Sequence, residues 1–154
     1  MPEIVLQKVD MEELVRFVLT FYQEASPVKF EYISDVQSPV VYADRSQIIR
    51  VFTNVINNAV QAIGETDTGI IRIQITKEQE WIVVTIADNG SGIPSDLRKN
   101  IFQPEFTTKT SGMGLGLAIV KALVEGMKGE ISFTSEEKKG TAFIIKFQSY
   151  AEII

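Results

Sequence analysis

Apolar residues recur along this chain with two periods, and the points where the period changes mark its elements. Leu14, Val15, Val18, Leu19 and Tyr22 fall at helical spacing, in a stripe that ends before Pro27. Asp10 with Glu13 forms a capping-box signal at its start. A longer stripe of Ile48, Phe52, Val55, Ile56, Ala59 and Ile63 is opened by Asp44 with Gln47 and closed by Gly64 and Gly69. A third helical stripe runs from Leu115 to Met127. Residues Glu3 to Val9 read as a short edge strand, Val28 to Ile33 alternates as a strand, and Val40 to Tyr42 is a short one. Ile70 to Thr76 and Trp81 to Ala87 are β-rich and flank a charged turn, which predicts a hairpin. Ile131 to Thr134 with Thr141 to Phe147 predicts another. Pro94 suits the first position of a short helix reaching about Ile101. Gln103 to Ser111 has no period and is rich in Thr and Ser. The alternation predicts an α/β protein: a two-layer sandwich, its mixed and mostly antiparallel sheet covered by helices on one face.

Composition narrows the function more than the fold. No linker or repeat interrupts the 154 residues, which read as one continuous domain, residues 1–154. A net charge of −5 argues against a nucleic-acid partner. No apolar run approaches the roughly 20 residues that span a bilayer. The chain is therefore expected to be cytoplasmic and not membrane-inserted, whether or not a parent protein is membrane-anchored. Zero cysteines exclude disulfides and thiolate metal sites, and zero histidines exclude a His nucleophile, base or ligand.

Three short strings carry candidate chemistry. In Asn54-Val55-Ile56-Asn57-Asn58-Ala59, Asn54 and Asn58 lie four apart and stack on one helix face, with Gln61 continuing it. An amide oxygen is a hard donor suited to Mg²⁺. The plain alternative is the wet side of a helix, yet Asn is a poor helix former and three in five residues carry a cost. In Asp88-Asn89-Gly90-Ser91-Gly92-Ile93, period two places Asp88 on the face of Ile82, Val84 and Ile86, where a core residue belongs. A carboxylate there needs a donor, and the exocyclic amine of adenine is one. Gly90 and Gly92 would let the backbone turn sharply and approach a flat ring. The competing reading, an Asn-Gly hairpin turn, lacks a following strand. Gly112-Met113-Gly114-Leu115-Gly116-Leu117 precedes a helix and offers amides to phosphate, although it could equally be a hinge.

Together and in this order the strings resemble the GHKL superfamily of gyrase, Hsp90, histidine kinase and MutL, which share the Bergerat nucleotide-binding fold. The likeness runs from Asp44 to Phe147 and is closest to the catalytic and ATP-binding domain of a bacterial sensor histidine kinase. Phe102-Gln103-Pro104-Glu105-Phe106 matches the F box, and Phe106-Thr107-Thr108-Lys109 running into Gly112 looks like a nitrogen-regulation-type lid. Gly140-Thr141-Ala142-Phe143 matches the closing strand. The resemblance implies ATP and Mg²⁺ as cofactors. It assigns Asn58 to the metal, with Asn54 supporting the metal or the phosphates. It assigns Asp88 to the adenine amine, with Thr141 helping through water. Gly90, Gly92 and Ile93 would shape the base pocket. Gly112, Gly114, Leu115 and Gly116 would wrap the triphosphate, and Lys109 would add charge. Three positions depart from the common pattern: Gln61 stands where many members carry Lys or Arg, Glu105 where Phe is frequent, and Met113 where Thr is commoner.

The resemblance further implies γ-phosphoryl transfer to a His on a separate dimerisation domain, absent here, with a response regulator downstream. No catalytic residue for that acceptor role exists in this chain. Two other classes stay open: an ATP-hydrolysing conformational machine of the gyrase, MutL or Hsp90 kind, and a non-catalytic nucleotide-binding regulatory module. In gyrase-like and MutL-like members a Glu base sits four residues before the metal Asn. Here that residue is Asn54, which cannot take a proton at neutral pH.

Overall fold

The computed structural model describes residues 3–22, 27–65, 68–104 and 113–150. In chain order they form β1 (Gln7–Asp10), α1 (Met11–Leu19), β2 (Lys29–Ser34), β3 (Val40–Ala43) and α2 (Arg45–Ile63). There follow β4 (Ile70–Glu78), β5 (Trp81–Asp88), a 3₁₀ turn (Arg98–Asn100), α3 (Met113–Gly126), β6 (Glu130–Glu136) and β7 (Gly140–Gln148). Five strands are ordered β2-β4-β5-β7-β6; β2 runs parallel to β4 and the other pairs are antiparallel. One face of this sheet is buried: Ile73 stands opposite Ile86, Val84 opposite Ile145, and Ile82 opposite Phe147. The stripe expected on α2 is buried in full and lies over β4, β5 and β7; the Phe52 ring meets Phe147 at 6.4 Å. α3 lies along β6, and α1 packs on α2. On the outer face Arg72 is exposed while Gln74, Thr85 and Ile144 are half-buried, so the two-layer expectation holds.

Both predicted caps form, each through a carboxylate that accepts a backbone N–H three residues on: Asp10 from Glu13 and Asp44 from Gln47. Asp44 does more than cap. It is buried and also accepts from the Val5 N–H at 2.9 Å and the Ser46 hydroxyl at 3.0 Å. Burial pushes its carboxyl up, but these donors outweigh burial and leave its pKa below the ordinary value. A folded pKa below the unfolded one stabilises the fold above about pH 3.9, and that contribution disappears as pH falls through the folded value. Asp44→Asn should therefore lose less stability than the parent between pH 5 and pH 3, measured as urea midpoints. It should start about 0.5–1.5 kcal/mol lower at pH 7, because an amide NH₂ cannot accept the Val5 N–H while its oxygen keeps Ser46 and Gln47.

Three local expectations are corrected. The first strand covers only Gln7–Asp10 and pairs with β3 in a separate two-stranded sheet, not at the edge of the main one. The helix expected after Pro94 is a chain of i→i+3 bonds, Leu97 to Pro94, Asn100 to Leu97 and Gln103 to Asn100. With Ile101 buried but Leu97 exposed, this segment has too little apolar surface to offset α-helix nucleation. α3 begins at Met113, so the glycine string is partly helix and not wholly a loop before it.

Candidate functional site

α2 carries its two candidate amides toward the start of α3. Asn54 and Asn58 are half-buried one turn apart, whereas Asn57 and Gln61 are exposed. A methyl group added at Gly116 would lie 3.9 Å from the Asn54 amide, so the Asn string and the glycine string meet at ordinary contact distance. The Asn58 Nδ2 atom is buried with no hydrogen-bond partner among the described residues. An unmade hydrogen bond of that kind is costly, and the site tolerates it. Asn57, off this face, has a separate employment: it accepts from the Tyr22 hydroxyl at 2.9 Å and so ties the end of α1 to α2.

β5 delivers Asp88 to the same end of the sheet. Asp88 is half-buried at the inward parity of Ile82, Val84 and Ile86, directly opposite Thr141 of β7. Burial raises its carboxyl above the ordinary range, and the N–H groups of Gly90, at 2.8 Å, and Thr141 pull it partly back. The loop after Asp88 is held by protein. Ser91 N–H donates to the Ala62 carbonyl at 3.1 Å, and a Cβ at Gly90 would come within 2.7 Å of that backbone. Gly92, at φ +75°, is backed by the Glu136 carbonyl, and Gly140, at φ +129°, by that of Asp88. A side chain at any of these three glycines would run into protein backbone. Asn89 is a clamp: its amide oxygen accepts from Ile70 N–H at 2.8 Å and its NH₂ donates to the Thr68 carbonyl at 2.9 Å.

Two residues here escaped the reading of the strings. The Ser135 hydroxyl accepts from the Ile93 N–H at 2.8 Å and touches the Thr141 hydroxyl at 2.9 Å, while the Arg98 guanidinium donates to the Ile93 carbonyl at 3.0 Å. Ile93 is thus pinned on both sides. The signal for Ser135 was the one used for Asp88: a polar residue at the inward parity of Ile131 and Phe133.

The structure brings together Asn54 and Gly116, and separately Asp88, Gly90, Gly92, Ile93 and Thr141 around one loop. Gly114 and Leu115 fall in the first turn of α3. Lys109, Gly112 and residues 105–111 of the lid expected from Gln103 to Ser111 lie outside the described residues. Among the described residues no cluster of three acidic, His or Cys side chains could hold a metal. A divalent ion would therefore depend on amide oxygens and on oxygens that a ligand brings; Asn54 and Asn58, half-buried on one face of α2, each carry one such oxygen.

Residues 43–151 match the family described as histidine kinase-, DNA gyrase B-, and HSP90-like ATPase. The sensor histidine kinase ZraS of Escherichia coli (strain K12) is 32% identical over 145 residues, covering 92% of this chain and 31% of that protein. The sensory histidine kinase/phosphatase NtrB of Azospirillum brasilense is 36% identical over 141 residues, covering 83% of this chain and 35% of that protein. The chain thus spans about a third of the length of these curated relatives. The catalytic domain of histidine kinase ThkA superposes with a TM-score of 0.84 at 31% identity, over 94% of this chain and 96% of that one. ThkA in complex with the response regulator protein TrrA matches with a TM-score of 0.80 at 28% identity, over 96% of this chain and 42% of that one.

Proposed function

This chain belongs to the family of histidine kinase-, DNA gyrase B-, and HSP90-like ATPases, and on that footing we propose that it is the ATP-binding catalytic domain of a sensor histidine kinase. Its task is to hold Mg-ATP so that the γ-phosphoryl group passes to a His on a separate dimerisation domain, with a response regulator receiving it next. The acceptor must lie elsewhere, because the chain has no His. The observation that carries the reading is a pair of half-sites: the Asn face of α2 lies against the glycine-rich first turn of α3, and a half-buried carboxylate ends β5.

Each part has one job. Asp88 accepts from the adenine amine, and the donor offsets the cost of its burial. Thr141 lies beside it, and Ile93 lines the pocket on a backbone held by Ser135 and Arg98. Gly114, Leu115 and Gly116 in the first turn of α3, together with Gly112 before it in sequence, would offer N–H groups to phosphate, and Lys109 would add charge. Asn58, supported by Asn54, would hold Mg²⁺, which neutralises developing charge on the phosphates. Among the described residues no helix is long and apolar enough to cross a membrane, and a cytoplasmic place for the domain accords with ATP as its substrate.

Isothermal titration with a non-hydrolysable ATP analogue should show binding that strengthens when Mg²⁺ is added. With ATP alone the chain should stay unphosphorylated, and label should appear on a His-bearing helical domain supplied in trans. No nucleotide binding in either condition would overturn the reading; binding indifferent to Mg²⁺ would remove the metal assignment alone.

A further inference from the structure

The Ser135 hydroxyl sits among three groups. Ile93 N–H donates to it at 2.8 Å, the Gly140 carbonyl oxygen lies within its donating reach at 3.2 Å, and Thr141 Oγ1 is 2.9 Å away. A serine hydroxyl has one proton and two lone pairs. Were that proton given to Thr141, the Ser135 and Gly140 oxygens would face each other with no hydrogen between them. One arrangement satisfies all three contacts: Ser135 donates to Gly140 and accepts from both the Ile93 N–H and the Thr141 O–H. The Thr141 proton is then committed, and this buried side chain has only lone pairs left to offer. Thr141 stands directly opposite Asp88, whose carboxylate is itself an acceptor.

We propose that Ser135 is a positioning residue that holds Thr141 as an acceptor, so that the Asp88–Thr141 end of the cleft selects a 6-amino purine over a 6-oxo purine. This rests on the nucleotide reading above and adds the residue that enforces base choice through Thr141. An exocyclic amine brings two N–H donors and suits two acceptors, directly or through a water. A ring carbonyl brings lone pairs and finds no donor. Ser135→Ala frees the Thr141 proton to turn toward a 6-oxo group, so discrimination falls. The same change unties Ile93, but a looser loop weakens both nucleotides alike.

The experiment is titration of this chain with ATP and with inosine triphosphate, with thermal melts to verify folding. The parent should prefer ATP, and Ser135→Ala should reduce the ratio of the two dissociation constants about tenfold, the worth of one hydrogen bond. Ser135→Thr keeps the hydroxyl and should restore the parent ratio. In a Thr141→Val background, Ser135→Ala should leave the ratio unmoved, since no proton remains to redirect. Should Ser135→Ala not fold, Ser135→Cys, a weak acceptor, takes its place with a smaller drop in the same direction. An unchanged ratio in the folded variant, with both affinities falling together, would make Ser135 a structural tether and overturn the proposal. A parent that binds neither nucleotide would instead overturn the nucleotide reading.

Discussion

Asp88→Asn is expected to weaken ATP binding by about 1.5–3 kcal/mol, roughly 10- to 150-fold, while leaving the nucleotide-free fold as stable as the parent or more so. The first half follows from hydrogen bonding. The substitution keeps size and can keep the bond from Gly90 N–H, but it sets an NH₂ where adenine presents its own amine. The second half follows from the direction of the pKa. Burial raises the folded pKa of Asp88 above its unfolded value, so its contribution to stability is fullest with the carboxyl protonated, below about pH 3.9. That contribution is lost as pH rises through the raised value, and at neutral pH the ionised group is a liability without a ligand. Thermal melts at pH 7 and pH 4 should show the Asn variant gaining on the parent at the higher pH. ATP should raise the melting temperature of the parent far more than that of the variant. Equal ATP affinity in both, or GTP competing as well as ATP, would sink the adenine assignment.

The second large effect belongs to α2. Asn58→Ala should cut phosphotransfer to a supplied His-bearing domain by about 10²-fold or more, the cost of losing one preorganised group that stabilises transition-state charge. It should also abolish the Mg²⁺ dependence of ATP binding. Stability should hardly fall, because the lost amide has a buried, unpartnered Nδ2 whose desolvation cost goes with it. Asn54 tests kinase against ATPase at the neighbouring turn. With no carboxylate there to activate water, hydrolysis by the unmodified chain should lack the ~10²–10⁴-fold that a general base supplies. Asn54→Glu should raise phosphate release while affinity stays near the parent value. Steady-state phosphate release at the level of a dedicated ATPase, undiminished by Asn58→Ala, would refute both the metal assignment and the kinase reading.

What the sequence determined by itself was whatever acts over one turn or one pleat. The caps at Asp10 and Asp44 are carboxylates reaching three residues on, and the α2 stripe is a period of a helix; both formed where expected. The β4–β5 hairpin was legible because its strands are neighbours, and Asp88 because a carboxylate broke an apolar alternation at a countable parity. The glycine string was legible as composition but not as conformation, since α3 runs into it from Met113. Only the tertiary structure decided what spans distance. The parallel pairing of β2 with β4 joins Phe30 to Ile71, with a strand and the whole of α2 between them in sequence. No local pattern encodes that register, which comes from burying one sheet face beneath α2. The smallness of Gly90 was visible, but its reason, the backbone of Ala62, is not a neighbour in sequence. Ser135 is the sharpest instance: its three partners lie on a loop 42 residues away and on the far side of a turn, and a hydroxyl has no chemistry of its own until its one proton has been assigned among them.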